Sequence, residues 1–302
     1  KGGGFRRWYG NNDFVVNWEN NGAEMKAFKN SVIRNEEYYF RDRALTWTYV
    51  TNYKLNVRYY EKATFAAVGP GIFPSSLPLE YILGILNSEI AQKFADNVGG
   101  ETITYEVGEV ASIPIAKVSD ETIEKVCALV KENVALVKRD WDSFEVSWDY
   151  KKHPLLTYQT VLLSEAYEAW KNECTASFQQ VLENEREINK IVAEAYSMEN
   201  ELSNEIPEKD ISIRIPSKSE AVKTLISYAV GCMFGRYSLK KDGLISAGGE
   251  VDSLDYSIII PDADSVIPIT DSEYFNDDIV SRFAEFIEKV YGKDSLEENL
   301  QF

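Results

Sequence analysis

The stretch that most limits what this chain can fold into is residues 38–60, YYFRDRALTWTYVTNYKLNVRYY, where Tyr, Trp, Val and Thr dominate. Those residue types favour strands. Leu55, Val57 and Tyr59 alternate with Asn56, Arg58 and Tyr60, the period of a half-buried strand. Arg41, Arg43, Lys54 and Arg58, with Lys62 close by, lie among rings and amides. Such a mixture suits a surface that holds phosphates and touches bases. The plainer alternative is a twisted sheet whose arginine stems pack on its own aromatics.

Charge sharpens the choice. Residues 1–60 carry 10 Lys/Arg and 6 Asp/Glu, hence +4; the other 242 carry 22 and 43, hence −21, together the −17 of the whole chain. An acidic body repels DNA except where a basic face meets it, because salt screens such fields beyond about 10 Å. Only the N-terminal part therefore suits a polyanion. The 302 residues make room for about two domains. Lys1 in place of Met points to a piece of something longer. No apolar run approaches a membrane span, and no leader is expected. Cys127, Cys174 and Cys232 are far apart and leave one odd, as reduced thiols of a cytoplasmic protein would.

Along the chain, Phe5–Tyr9 and Phe14–Trp18 flank Gly10-Asn11-Asn12-Asp13, which predicts a hairpin. Arg6, Arg7 and Trp8 near its start resemble a nucleic-acid contact; two solvated arginines beside a core Trp is the competing view. A short helix is expected over 23–30. A Gly/Pro-rich crossover is expected over 69–78, a helix over Leu79–Asn97, and strands over Thr102–Val107 and Ala111–Ile115. Beyond about residue 118 long acidic helices take over. Ser119 or Asp120 caps the first, 155–203 is one long helix or a bent pair, and 219–237 and 279–291 are further helices. Ile211–Ile215 reads as a small strand. The fold class is α+β: a mixed-sheet domain over 1–118, then a mainly helical one over 119–302.

Sites of chemistry are scarce. Asp262, Asp264, Asp271 and Asp277-Asp278 are expected to be solvated loop acids. Two acids of a glycoside hydrolase cannot be picked by spacing among 49 candidates. His153, the sole histidine, precedes Pro154 in a turn with no nucleophile signature nearby, as a structural histidine would. Neither a Gly-x-Gly-x-x-Gly nor an Asn-Pro-Pro-aromatic tetrapeptide occurs. No catalytic residue and no metal site are expected.

Several ordered runs resemble the C-terminal portion of PglX-like adenine-specific DNA methyltransferases of BREX phage-defence systems, and type IIG restriction–modification enzymes share part of the pattern. They are Lys1–Tyr9 (KGGGFRRWY), Val15–Gly22 (VVNWENNG), Tyr38–Val50 (YYFRDRALTWTYV), Val57–Tyr60 (VRYY), Leu83–Glu89 (LGILNSE) and Val107–Ile115 (VGEVASIPI). Asp140–Leu156, Tyr228–Leu239 and Ile267–Val280 continue them. The resemblance implies a target-recognition domain over 1–118 and a helical C-terminal domain, with S-adenosylmethionine and the catalytic motif held upstream by the parent. Implied partners are double-stranded DNA, that upstream methyltransferase domain and other BREX or restriction subunits, with no membrane. Arg41, Arg43, Trp47, Tyr49, Asn52 and Arg58 occupy the family's recognition-domain core; Arg6, Arg7, Trp8 and Lys54 complete the expected DNA-binding set. Ala44 stands where relatives often have Gly, and Gly99-Gly100-Glu101 replaces a common Asn-Pro-Thr. Two alternatives belong to other classes: an acidic helical module docking other defence subunits, and a carbohydrate-active enzyme.

Overall fold

A computed structural model describes residues 3–34, 36–66, 69–99, 103–203, 205–247 and 253–302. In chain order its elements are α1 (Glu19–Ala27), α2 (Glu36–Tyr39), β1 (Phe40–Trp47), β2 (Val57–Thr64), β3 (Gly71–Ile72), α3 (Leu79–Leu86), α4 (Glu89–Gly99) and α5 (Val107–Ser112), followed by α6 (Asp120–Asp142), α7 (Leu163–Tyr196), α8 (Lys218–Met233), α9 (Ile279–Tyr291) and α10 (Leu296–Gln301). The fold is α+β, as expected. Packing groups the chain into two compact units, 1–139 with 177–213 and 140–176 with 214–302. The composition shift near 118 thus falls inside the first unit.

In that unit β1 is the centre of a three-stranded sheet ordered β2-β1-β3, antiparallel throughout. Leu45 faces Tyr59 on one side and Ile72 on the other. The expected hairpin at residues 5–18 does not form. Trp8 instead bridges Arg58 in parallel: its N–H donates to the Val57 carbonyl at 3.0 Å and its carbonyl accepts from the Tyr59 N–H at 2.7 Å. The open edge of β2 outcompetes a local turn because it satisfies backbone groups in a buried place. This added strand also closes over β2. Leu55, Asn56, Val57 and Arg58 are therefore all buried, and the half-buried alternation expected there is absent.

The helix expected over 79–97 is two helices. Asn87 ends α3, with its N–H on the Leu83 carbonyl. Its side chain turns to Val57, accepting from that N–H and donating to that carbonyl, each at 2.9 Å. One amide thus mimics a strand neighbour for β2. Asn87→Ala is expected to lower stability by about 1–3 kcal/mol, because the Val57 N–H is left buried without its acceptor and the Val57 carbonyl keeps only the Trp8 N–H. Urea denaturation measures it, and a loss under half a kilocalorie would mean that water takes over both bonds. Gly84 lets α3 approach α6 and α7; a Cβ there would lie 2.7 Å from Val126 Cγ1 and 3.1 Å from Val130 Cγ2.

The strands expected over 102–115 are also replaced; Thr102 itself lies outside the described residues. Thr104 makes a single bridge to Val50, and residues 107–112 are helical, held by a capping box between Glu106 and Glu109. Ile211–Ile215 is irregular, with Ile211 and Ile213 buried.

The second unit gathers Leu155, Trp170, Leu225, Tyr228, Met233, Phe286, Ile287 and Tyr291 into its core. Tyr228 and Tyr237 stack there with ring centroids 5.0 Å apart. Ser217 and Glu220 form the capping box that starts α8. Asp278, expected to be solvated, is buried and caps α9: it accepts from the N–H groups of Tyr274 (2.6 Å), Phe275 (2.8 Å) and Ser281 (2.8 Å). Asp264, Asp271 and Asp277 are exposed. Among the described residues no helix is long and apolar enough to cross a membrane.

Candidate nucleic-acid interface

The ten side chains expected to meet DNA divide sharply by depth. Five of them are interior groups. Arg6 donates from Nε to the Tyr9 carbonyl at 2.7 Å and from Nη2 to that of Val137 at 3.2 Å. Arg7 donates to Glu185 Oε2 at 3.0 Å, and the Trp8 indole N–H donates to Glu185 Oε1 at 2.7 Å. Glu185 sits on α7 and is 3 % exposed, so burial pushes its carboxyl up while Arg7 and Trp8 oppose that shift. Trp47 is buried, its indole N–H donating to the Tyr105 carbonyl at 2.8 Å.

Arg58 is the deepest of the three arginines, at 2 % exposure. Its Nη1 donates to the Arg6 carbonyl at 3.2 Å, to Thr48 Oγ1 at 3.1 Å and to Asn56 Oδ1, while its Nε is buried without a partner. Burial, aided by the neighbouring Arg6, pulls its pKa down to about 10. These five hold the sheet, its added strand and α7 together; they do not face solvent. The expectation that they contact DNA thus falls on side chains that are buried in this conformation, with partners inside the protein.

The other five reach the surface in two groups. Arg41 and Arg43 lie on the same face of β1, two residues apart. Arg43 is half exposed, its guanidinium 4.0 Å from Glu80. Arg41 donates to the carbonyls of Glu37 and Phe40 and lies 5.0 Å from the Phe73 ring centroid. Tyr49, Asn52 and Lys54 belong to the β1–β2 connection. Asn52 is exposed, Tyr49 half-buried, and Lys54 donates to Asp210 at 2.6 Å. Tyr53 donates to the other oxygen of Asp210 at 2.5 Å, so the connection is anchored rather than loose. At about 3.3 Å per residue, β1 sets the two groups roughly 20 Å apart.

Around the start of β1 lies a surface cluster that the expected set did not contain. Trp18, Tyr38, Tyr39, Phe40, Phe65 and Phe73 form an unbroken chain of ring contacts at 4.9–6.0 Å. None of the six is buried. Ring-rich composition marked Tyr38, Tyr39 and Phe40 as strand formers, and nothing in the spacing distinguished covered from uncovered rings.

Other chemistry is sparse. Among the described residues no group of three or more His, Cys, Asp or Glu is placed to hold a metal ion. His153 is buried; its Nδ1 accepts from the Leu155 N–H at 3.3 Å and its Nε2 lies 2.9 Å from Thr224 Oγ1. Burial pulls its pKa down to about 3.

Compared with known proteins, the chain is similar along its whole length to two curated relatives. It is 34% identical over 318 residues to the adenine-specific methyltransferase PglX of Lacticaseibacillus casei (strain Zhang). It is 30% identical over 328 residues to the adenine-specific methyltransferase BrxX of Escherichia coli O9:H4 (strain HS). The chain spans 26% of each relative. It corresponds to a C-terminal portion of them, and the resemblance found in its ordered runs is borne out. No family model matches the chain.

Proposed function

We propose that the chain is the DNA-gripping, sequence-choosing part of an adenine-N6 DNA methyltransferase that acts in phage defence. The observation that carries this reading is the full-length similarity to two adenine-specific methyltransferases. Methyl transfer with S-adenosylmethionine belongs to the rest of the parent. The residues here do not fit that cofactor. In open α/β sheets a nucleotide-like ligand sits at a switch point between parallel strands, whereas the sheet here is antiparallel and three-stranded.

What this chain supplies is position. Phosphate contacts fix register and base contacts choose sequence. Arg41 and Arg43 at one end of β1, and Tyr49, Asn52 and Lys54 at the other, are spaced more widely than a major groove of about 12 Å. Such a strand would lie across a groove with cations toward one phosphate ridge and an amide and a phenol toward base edges. Asn52 is the group best suited to adenine, whose major-groove edge pairs with an amide.

Reversing Arg41 and Arg43 together to Glu is expected to weaken duplex binding by the 302-residue chain in a low-salt mobility shift. The slope of log affinity against log salt should fall by about 2, one for each phosphate contact removed. Unchanged affinity and slope, with the thermal midpoint preserved, would count against the assignment.

A second reading, docking of partner proteins, draws on the segment 260–275, where Ile260, Val266, Ile269, Tyr274 and Phe275 are exposed beside Asp264, Asp271 and Glu273. A carbohydrate-active enzyme draws no support from either relative.

A further inference from the structure

We infer that the ring cluster at the head of β1 is a stacking site for nucleobases released from pairing. The inference rests on the DNA reading above and deepens it by naming a surface and the state of the DNA it takes.

Aromatic side chains carry large apolar areas that folding normally hides. Six in contact with one another, each still reached by solvent, make a platform rather than a finished core. Three cations lie over these faces. The Arg34 guanidinium is 4.4 Å from the Tyr38 centroid, Arg41 is 5.0 Å from Phe73 and 5.8 Å from Phe65, and Lys26 is 5.8 Å from Trp18. Among the described residues none of the three is paired with a carboxylate. A planar guanidinium on a ring is itself a surface on which a base stacks.

The charge around the cluster decides between base and backbone. Glu36, Glu37 and Asp42 are exposed beside the cations, so the patch is mixed in sign. A site built for phosphate alone would exclude those carboxylates. A neutral, polarisable ring with donor groups on its edge tolerates both signs: it stacks on tyrosine, phenylalanine or arginine and offers exocyclic amines to acids. In an intact duplex both faces of every base are covered by its neighbours. The occupant must therefore be a base already out of the stack, as happens when a strand opens or a base is extruded for modification.

The test uses the whole 302-residue chain and two labelled DNAs of equal length, a full duplex and the same duplex with a central unpaired bubble. Anisotropy titration at low salt should show the bubble bound about tenfold tighter, the scale of one or two stacked bases. In Tyr38→Leu/Phe65→Leu, which keeps apolar bulk but removes ring faces, the preference should vanish while duplex affinity stays. Trp18→Phe should separately reduce the tryptophan quenching that bubble DNA produces. A wild-type chain that binds duplex and bubble alike, or a preference that survives the double leucine variant, overturns the stacking site and leaves the DNA reading standing. A chain that binds neither DNA overturns both.

Discussion

Glu185→Ala is expected to destabilise the chain by about 3–5 kcal/mol, because the cation it leaves behind is buried without a counter-charge. Arg7 and Trp8 both donate to this carboxylate, at 3.0 and 2.7 Å, and all three residues are inside the first unit. Arg7 Nε already lacks a partner, so the guanidinium has little to fall back on. Glu185→Gln keeps an acceptor and should cost less than Ala. The double variant Arg7→Met/Glu185→Leu should recover most of the loss, since two apolar groups replace an ion pair whose desolvation is itself unfavourable. Urea denaturation of the four proteins makes the comparison. A loss below about 1 kcal/mol in Glu185→Ala would show that solvent reaches Arg7, and the description of this pair as a sealed anchor would fall.

Between pH 6.5 and 4.5 acid should act on the second unit chiefly through His153. His153 is the chain's sole histidine, and burial lowers its pKa from 6.5 to about 3 in the folded protein. Below pH 6.5 the unfolded chain takes up a proton that the folded chain refuses. Stability from this group is therefore intact above 6.5 and falls as pH drops, by about 1.4 kcal/mol per pH unit. Near pH 3 the folded chain accepts the proton too, and the loss levels off at roughly 4–5 kcal/mol. With Nδ1 accepting from Leu155, the neutral ring carries its proton on Nε2 and donates it to Thr224. His153→Gln retains a donor at that end and does not titrate. The stability difference between wild type and variant should therefore shrink steadily from pH 6.5 to 4.5; a difference that does not vary with pH would show that His153 titrates alike in both states.

Helices were the legible part of this sequence. The stripe from Ile279 to Tyr291 predicts α9 residue for residue, and the start of α6 follows from Ser119. Periodicity there reports one packed face, and a cap reports a local hydrogen bond. Residues 107–112 carried such a signal too, in Glu106 and Glu109, but the β-branched residues around them masked it. The site was legible only as a region. Arg6, Arg7 and Arg58 carry the same charge as Arg43, and composition does not tell a guanidinium that reaches Glu185 or a carbonyl from one that reaches solvent. The deciding partners lie far along the chain, and a window of neighbouring residues contains none of them. The same limit applies to Trp8, whose bridge to Arg58 displaced a turn that Gly10–Asp13 favoured locally.

Arg7 meets Glu185 across 178 positions, and Tyr53 and Lys54 meet Asp210 across 157 and 156. A ribosome adding about 5–20 residues per second leaves those N-terminal groups waiting on the order of ten seconds or more for their acids to emerge. During that interval this stretch of nascent chain carries unneutralised arginines and uncovered tryptophans, the features that recruit chaperones and polyanions alike. Expression of a fragment cut at residue 118 would make that interval permanent.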